Sequence, residues 1–196
     1  MINEIILASS NAHKVSEMKD LFFSKDFKIV GAPEKLEVVE DGNSFFENAL
    51  LKAKAYSEKY KKPALADDSG LCVQALPDKL GLQTARYGGE GLNDKERWKL
   101  LLEEMKTVSG SERAAYFCCV LCFYFSDSEI YYFEGRVQGS ISTQGQEGEG
   151  GFGYDPVFLP EELGGKSLAE DTNWKMENSH RARAFEHANK FFKNYK

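Results

Sequence analysis

The chain has 196 residues, 42% of them apolar and 29% charged, with a formal net charge of -6. That length suits a single domain with room for a real core, and the composition excludes the disordered and fibrous classes. An acidic chain with mixed charges offers no basic stripe to a nucleic-acid backbone, so no nucleic-acid partner is expected, while small phosphates remain open. The longest apolar run, Ala114–Phe125, is twelve residues, short of the about 18 to 20 that a membrane span needs. The opening Met1-Ile2-Asn3-Glu4 has no basic, leader-like character, and the expectation is a cytoplasmic protein with no membrane partner.

In chain order, Ile5-Ile6-Leu7-Ala8 is a short apolar run of buried-strand type. The polar turn Ser9-Ser10-Asn11 follows, then a helix carrying Val15, Met18 and Leu21. Backbone N–H groups at a helix start are unpaired and partly positive, so an anion fits there. Lys14 adds positive charge where the macrodipole disfavours it; a bound phosphate explains this, and so does a solvated surface group. Phe27–Val30 reads as a second strand. From Ser44 the series Phe45, Phe46, Ala49, Leu50, Ala53, Tyr56, Tyr60 has helical spacing, and Ser44 with Glu47 forms a capping box.

Lys61-Lys62 leads into an apolar strand, Pro63–Ala66, which delivers Asp67-Asp68-Ser69-Gly70 to its end. Two adjacent acids beside apolar chain cost desolvation and repulsion unless a cation or a shared proton compensates them. Magnesium suits, since it takes one or two carboxylates and leaves its other positions to water and phosphates. A solvated turn is the alternative, because Asp, Ser and Gly are turn formers.

A further helix runs from about Asp94 to Met105, capped by Asn93, with Trp98, Leu101, Leu102 and Met105 on its apolar face. Ala114–Phe125 and Ile130–Gly139 then read as two strands of a hairpin joined by Ser126–Glu129. Cysteines occur at 72, 118, 119 and 122, and histidines only at 13, 180 and 187. Cys119 and Cys122 form a CxxC without a second ligand pair, and in a strand they point to opposite faces, so buried thiols in a reducing compartment are expected. The last helix begins after Ser179 and packs Ala184, Phe185, Ala188 and Phe192, with Phe191 and Tyr195 flanking.

The segment Gly145–Gly153 is glycine-rich and ends in Gly150-Gly151-Phe152-Gly153-Tyr154-Asp155-Pro156. Glycine lets a backbone approach a ligand, and a ring with small neighbours can stack on a flat heterocycle; the alternative is a tight turn with Phe152 plugged into the core. Ser179-His180-Arg181 places cationic groups at a positive helix start, with Lys175 close in sequence. Each cation taken alone reads as a solvated surface group.

Ser9–Lys14, Ser44–Ala53 (SFFENALLKA), Ala66–Leu71 (ADDSGL), Thr84–Tyr87 (TARY), Gly150–Phe158 (GGFGYDPVF) and Ser179-His180-Arg181, in this order over nearly the whole chain, resemble the inosine triphosphate pyrophosphatase, or Ham1-like, family. The resemblance implies an α/β fold, an elongated mixed β-sheet with flanking helices and two lobes around a central cleft, formed by residues 1–196 as one domain. It implies a homodimeric, Mg2+-dependent hydrolase that converts ITP, dITP and XTP to monophosphates and pyrophosphate. Asp68 is then the catalytic proton acceptor and a metal ligand, with Glu40 the second metal carboxylate and Glu37 its alternative. Ser9, Ser10, Asn11, Ala12, His13 and Lys14 form the triphosphate loop, with Ser69 beside Asp68. Phe152, Gly153, Tyr154, Asp155, Lys175, His180 and Arg181 form the base pocket. Ser9 stands where the family usually has Thr, Thr84 where it has Ser, and Val38-Val39-Glu40-Asp41-Gly42 where many members have two acids before Thr-Gly. A related Maf-type pyrophosphatase would not explain GGFGYDP followed by SHR, and a sensor without turnover would not need Asp67-Asp68.

Overall fold

The structure, a computed structural model, describes residues 3–9, 12–146, 148 and 151–195, with the backbone alone for 12–14. Strand β1 (Asn3–Leu7) leads to helix α1 (Ala12–Leu21) and strand β2 (Phe27–Gly31), then helix α2 (Phe45–Tyr60) and strand β3 (Ala64–Val73). Helix α3 (Asp94–Glu104), strands β4 (Ala114–Ser126) and β5 (Glu129–Ile141), the short strand β6 (Phe158–Pro160) and helices α4 (Thr172–Asn178) and α5 (His180–Phe192) complete it, with 3-10 turns such as Gly81–Arg86 between them.

The strands form one mixed sheet in the order β2-β1-β3-β4-β5-β6. β1 pairs in parallel with β2 and, through Ile6↔Ala64 and Leu7↔Leu65, with β3, while β5 and β6 are antiparallel. β4 and β5 are joined by Asp127-Ser128 alone, a connection only an antiparallel pair can take. This is the α/β class with a mixed sheet and flanking helices that the sequence implies.

The chain forms two compact units, one of residues up to Asp68, Cys119–Gly135 and residues from Arg181 on, the other of Ser69–Cys118 and Arg136–His180. In the first, Ile5 and Leu7 of β1 and Cys119, Leu121 and Phe123 of β4 pack with Met18 of α1 and with Ala184, Phe185, Ala188 and Phe192 of α5. The alternation on the strands and the three-to-four spacing on the helix are what the sequence pattern requires. In the second, Leu71 and Val73 of β3, Trp98 and Leu101 of α3, Phe117, Val137 and Tyr154 share a core.

Two details correct the expectations. β3 does not end at Ala66 but continues to Val73, so Asp67 and Asp68 lie inside a strand rather than at its end or in a solvated turn. They still lie beyond the carboxyl end of β1, whose pairing with β3 stops at Leu65, which is where parallel sheets hold their chemistry. The α2 cap is half a capping box: Ser44 accepts from the Glu47 N–H, but the Glu47 carboxylate accepts from the Asn43 N–H, at 2.7 Å. The complete box sits on α3, between Asn93 and Glu96. None of the four cysteines is in a disulfide, and no helix among the described residues is long and apolar enough to cross a membrane.

Candidate active site

Helix α2 builds the first cluster. Asn48, Lys52, Tyr56 and Tyr60 recur every four residues and therefore share one helix face. Each grips the segment that precedes the helix. The Tyr60 hydroxyl donates to the Glu34 carbonyl at 3.1 Å, the Tyr56 hydroxyl accepts from the Leu36 N–H at 2.9 Å, and Asn48 Oδ1 accepts from the Gly42 N–H at 2.9 Å. Between them Lys52 Nζ pairs with Glu40 Oε2 at 2.8 Å. Gly42 is required by this close approach, since a Cβ there would lie 2.7 Å from Asn48 Oδ1.

The same Lys52 reaches Asp68, with Nζ 3.6 Å from Oδ1. Adjacent strand residues face opposite ways, so Asp67 turns from Asp68 and meets a different cation. Arg181, only 1% exposed, places Nη2 3.4 Å from Asp67 Oδ2 and Nη1 2.9 Å from Glu17 Oε2. Protein cations thus supply part of the compensation that the paired acids require, Arg181 for Asp67 and Lys52 for Asp68. Burial raises the Asp68 pKa above the ordinary carboxylate value, Lys52 and an Asn48 hydrogen bond pull it down, and the Glu40 and Asp67 charges push it up again. Burial opposes the Lys52 charge, but Asp67, Asp68 and Glu40 outweigh it and hold the ammonium pKa above its usual value.

Asp68 Oδ2 is buried and has no hydrogen-bond partner. A buried acceptor without a donor is costly, so this oxygen suits a proton, a water or a cation. Among the described residues no three His, Cys, Asp or Glu side chains form a ready metal cage. Glu40 and Asp68 against Lys52 leave one net negative charge, which fits an ion that takes few protein ligands and many from water and phosphate.

The second cluster belongs to the other unit. Gly70 packs so closely that a Cβ would lie 2.3 Å from the Gly81 carbonyl oxygen and 2.8 Å from Thr84 Oγ1. Thr84 locks this turn, accepting from the Leu71 N–H at 3.0 Å and donating to the Gly81 carbonyl at 2.6 Å, so the hydroxyl that replaces Ser keeps a structural task. The Tyr154 hydroxyl donates to the Thr84 carbonyl at 3.0 Å. Tyr154 is therefore the ring plugged into the core, whereas Phe152 is 39% exposed. The Lys175 ammonium sits 4.4 Å from the Phe152 ring centroid and 2.6 Å from Asp155 Oδ2, which also accepts from the Phe152 N–H at 2.8 Å.

Of the residues singled out in the sequence, Glu40 and Asp68 come together through Lys52, and Phe152 and Asp155 of the glycine loop, with Gly153 between them, meet Lys175 of α4. Tyr154, His180 and Arg181 are instead buried among protein groups: His180 stacks on Phe117 at 4.8 Å and 11°, and Arg181 is not the solvated group its sequence position allowed. Ser9 and Ser69 are half-buried, Ala12, His13 and Lys14 open α1, and Ser10 and Asn11 lie outside the described residues. Sequence reasoning missed Lys52, Glu17 and Asn48. The signal for Lys52 was the four-residue recurrence with Asn48, Tyr56 and Tyr60, a polar stripe on a helix otherwise read for its apolar face.

The fold is thus an α/β protein with a half-buried carboxylate–ammonium cluster past the end of a parallel strand and a half-exposed ring beside a lysine–aspartate pair. The sequence model of the Ham1 family matches residues 5–191. A dITP/XTP pyrophosphatase of Geobacillus kaustophilus is 42% identical, covering 93% of this chain and 91% of the relative, and that of Oceanobacillus iheyensis is 37% identical, covering 97% and 98%. Among solved structures, the Staphylococcus aureus Ham1 protein superposes with a TM-score of 0.86 at 36% identity, covering 98% of this chain and 100% of its own. The chain belongs to the Ham1 family.

Proposed function

We propose that this protein is a dITP/XTP pyrophosphatase, a hydrolase that also accepts ITP, converts these triphosphates to monophosphates and pyrophosphate, and so clears them from the nucleotide pool. The observation that carries the reading is the buried, unpartnered Asp68 Oδ2 beside Lys52 and Glu40. Family membership and relatives named for this activity over nearly their full length support it.

Hydrolysis of a phosphoanhydride needs a water, an acceptor for its proton and a means of offsetting phosphate charge. Asp68 is the acceptor: its raised proton affinity suits a group that takes a proton during the reaction. Lys52 holds Asp68 and Glu40 in place and offsets charge. Mg2+, held by Asp68 and Glu40, would supply further charge neutralisation on the phosphates. The Ser9–Lys14 loop binds the triphosphate, with Ser69 beside Asp68. Phe152 stacks on the purine, and Lys175 donates to the 6-keto oxygen, with Gly153, Asp155 and the buried Tyr154 and His180 shaping that pocket, while Arg181 serves Asp67 instead. Residues 1–196 act as one ITPase-like domain, on the support of a family match that runs from residue 5 to 191. A homodimer and a cytoplasmic setting follow from the same reading.

Purified protein supplied with Mg2+ and each of dITP, XTP, ITP, ATP and GTP tests this. Pyrophosphate and monophosphate should appear in equal amounts from the first three and far more slowly from the last two. Release of single orthophosphates, or equal rates on all five, would overturn the reading.

A further inference from the structure

The ring of Phe152 is carried between two glycines with positive φ, 103° at Gly151 and 62° at Gly153, a turn that residues with side chains rarely adopt. Two carboxylates hold two successive N–H groups of this turn. Asp155 takes that of Phe152 from within the loop, and Asp94 Oδ2 takes that of Gly153 at 2.9 Å from 59 residues away. Asp94 is the first residue of α3, where an acid suits the macrodipole. The helix start is nevertheless already closed by the Asn93–Glu96 capping box, so the cap does not explain why the Asp94 carboxylate reaches the loop.

The geometry points to Asp94 as a positioning residue for Phe152, which sets affinity for the purine base without touching it; this rests on the reading that Phe152 stacks on the base. An N–H donated to a carboxylate is a strong, directional tie. Fixing the turn before the ligand arrives removes an ordering cost that binding would otherwise bear. The effect is confined to the base: Asp94 ties the turn that carries Phe152 and belongs to the compact unit that does not hold Asp68, so it acts on KM and leaves kcat alone.

The test compares Asp94→Ala, Asp94→Asn, Phe152→Ala and the Asp94→Ala/Phe152→Ala double variant in KM and kcat for dITP, XTP and ITP, with Tm for each. Asp94→Ala should raise KM for all three about 3- to 10-fold, the range of one lost hydrogen bond, with kcat held. Asp94→Asn keeps an acceptor oxygen and should stay within about twofold of the parent. The double variant should be no worse than Phe152→Ala, because Asp94 has nothing left to position. Asp94→Ala and Asp94→Asn raising KM equally, or additive losses in the double variant, would overturn the role. A parental KM for Asp94→Ala beside a raised KM for Phe152→Ala overturns Asp94 alone, whereas a parental KM for Phe152→Ala sinks the stacking reading and Asp94 with it.

Discussion

Asp67 and Asp68 are chain neighbours with different fates, because the strand turns one toward Arg181 and the other toward Lys52. For Asp67 the partner is structural. Removing Arg181 would leave a carboxylate that is 2% exposed without its cation, a loss of about 3 to 5 kcal/mol for a buried pair. Arg181→Ala should therefore lower the urea midpoint sharply, while Lys62→Ala, whose pair with Glu4 is half exposed, should leave it in place. For Asp68 the environment opposes its charge. A folded carboxyl whose pKa is raised keeps its proton to higher pH than the unfolded one, so ionisation at neutral pH costs stability. Asp68→Asn should then raise Tm at pH 7 in metal-free buffer, and the gain should shrink as pH falls toward the unfolded carboxyl's value of about 4. An unchanged or lowered Tm at pH 7 would show that Lys52 and Asn48 already offset the burial.

At the scale of elements, helix α2 is a clamp. Its four-residue stripe fixes the preceding segment, and Gly42 against Asn48 is one of the ties that place Glu40. Gly42→Ala should displace that segment and raise the Mg2+ concentration needed for half-maximal turnover, as Glu40→Gln should; an unchanged magnesium titration in both would point to another acid such as Glu37. β4 makes a separate prediction. Burial pushes the Cys122 thiol up to about 12, whereas an unfolded thiol ionises near about 8.5. The folded state holds the extra proton between these values, so stability should fall as pH rises through that window. At pH 8 a thiol reagent should react promptly with the half-buried Cys72 and reach Cys118, Cys119 and Cys122 only on unfolding.

These elements were legible to different degrees for physical reasons. Helices α2, α3 and α5 announce themselves through local periodicity and caps, and the β4–β5 hairpin through two long apolar runs around a short turn. β3 was cut short because Asp, Ser and Gly are poor strand residues locally; the strand continues because Lys52 and Arg181, 16 residues before Asp68 and 114 after Asp67, remove the cost of the acids. Long-range ion pairs of that kind leave no spacing signal. The same holds for Tyr154 and Phe152, two rings in one glycine segment whose burial is decided by the distant Thr84 carbonyl. Family motifs located both clusters, but not which residue in each is bracing and which is exposed to a ligand.

For the whole molecule, on the proposed reading, the residues assigned to the reaction and to the base fall in two compact units. Asp68, Glu40 and Lys52 belong to one, and Phe152, Asp155 and Lys175 to the other. Variants of the first group should act on kcat and the metal requirement, and variants of the second on KM and base choice. On the same reading Lys175, with donors and no acceptor, should favour a 6-keto purine over a 6-amino one. Lys175→Ala should narrow the ITP-to-ATP ratio of kcat/KM mainly by losing ITP, while Phe152→Ala should weaken both alike, since stacking does not choose between purines. A parental ratio in Lys175→Ala would send the search for base selectivity elsewhere.

If Asp68 takes the proton of the attacking water, the rate of pyrophosphate release from dITP at saturating Mg2+ depends on its basicity. Asp68→Asn keeps the shape of the side chain but removes its basicity and charge, so its kcat should fall about 10²-fold or more below that of the parent; a variant that still turns over at nearly the parental rate would contradict the assignment.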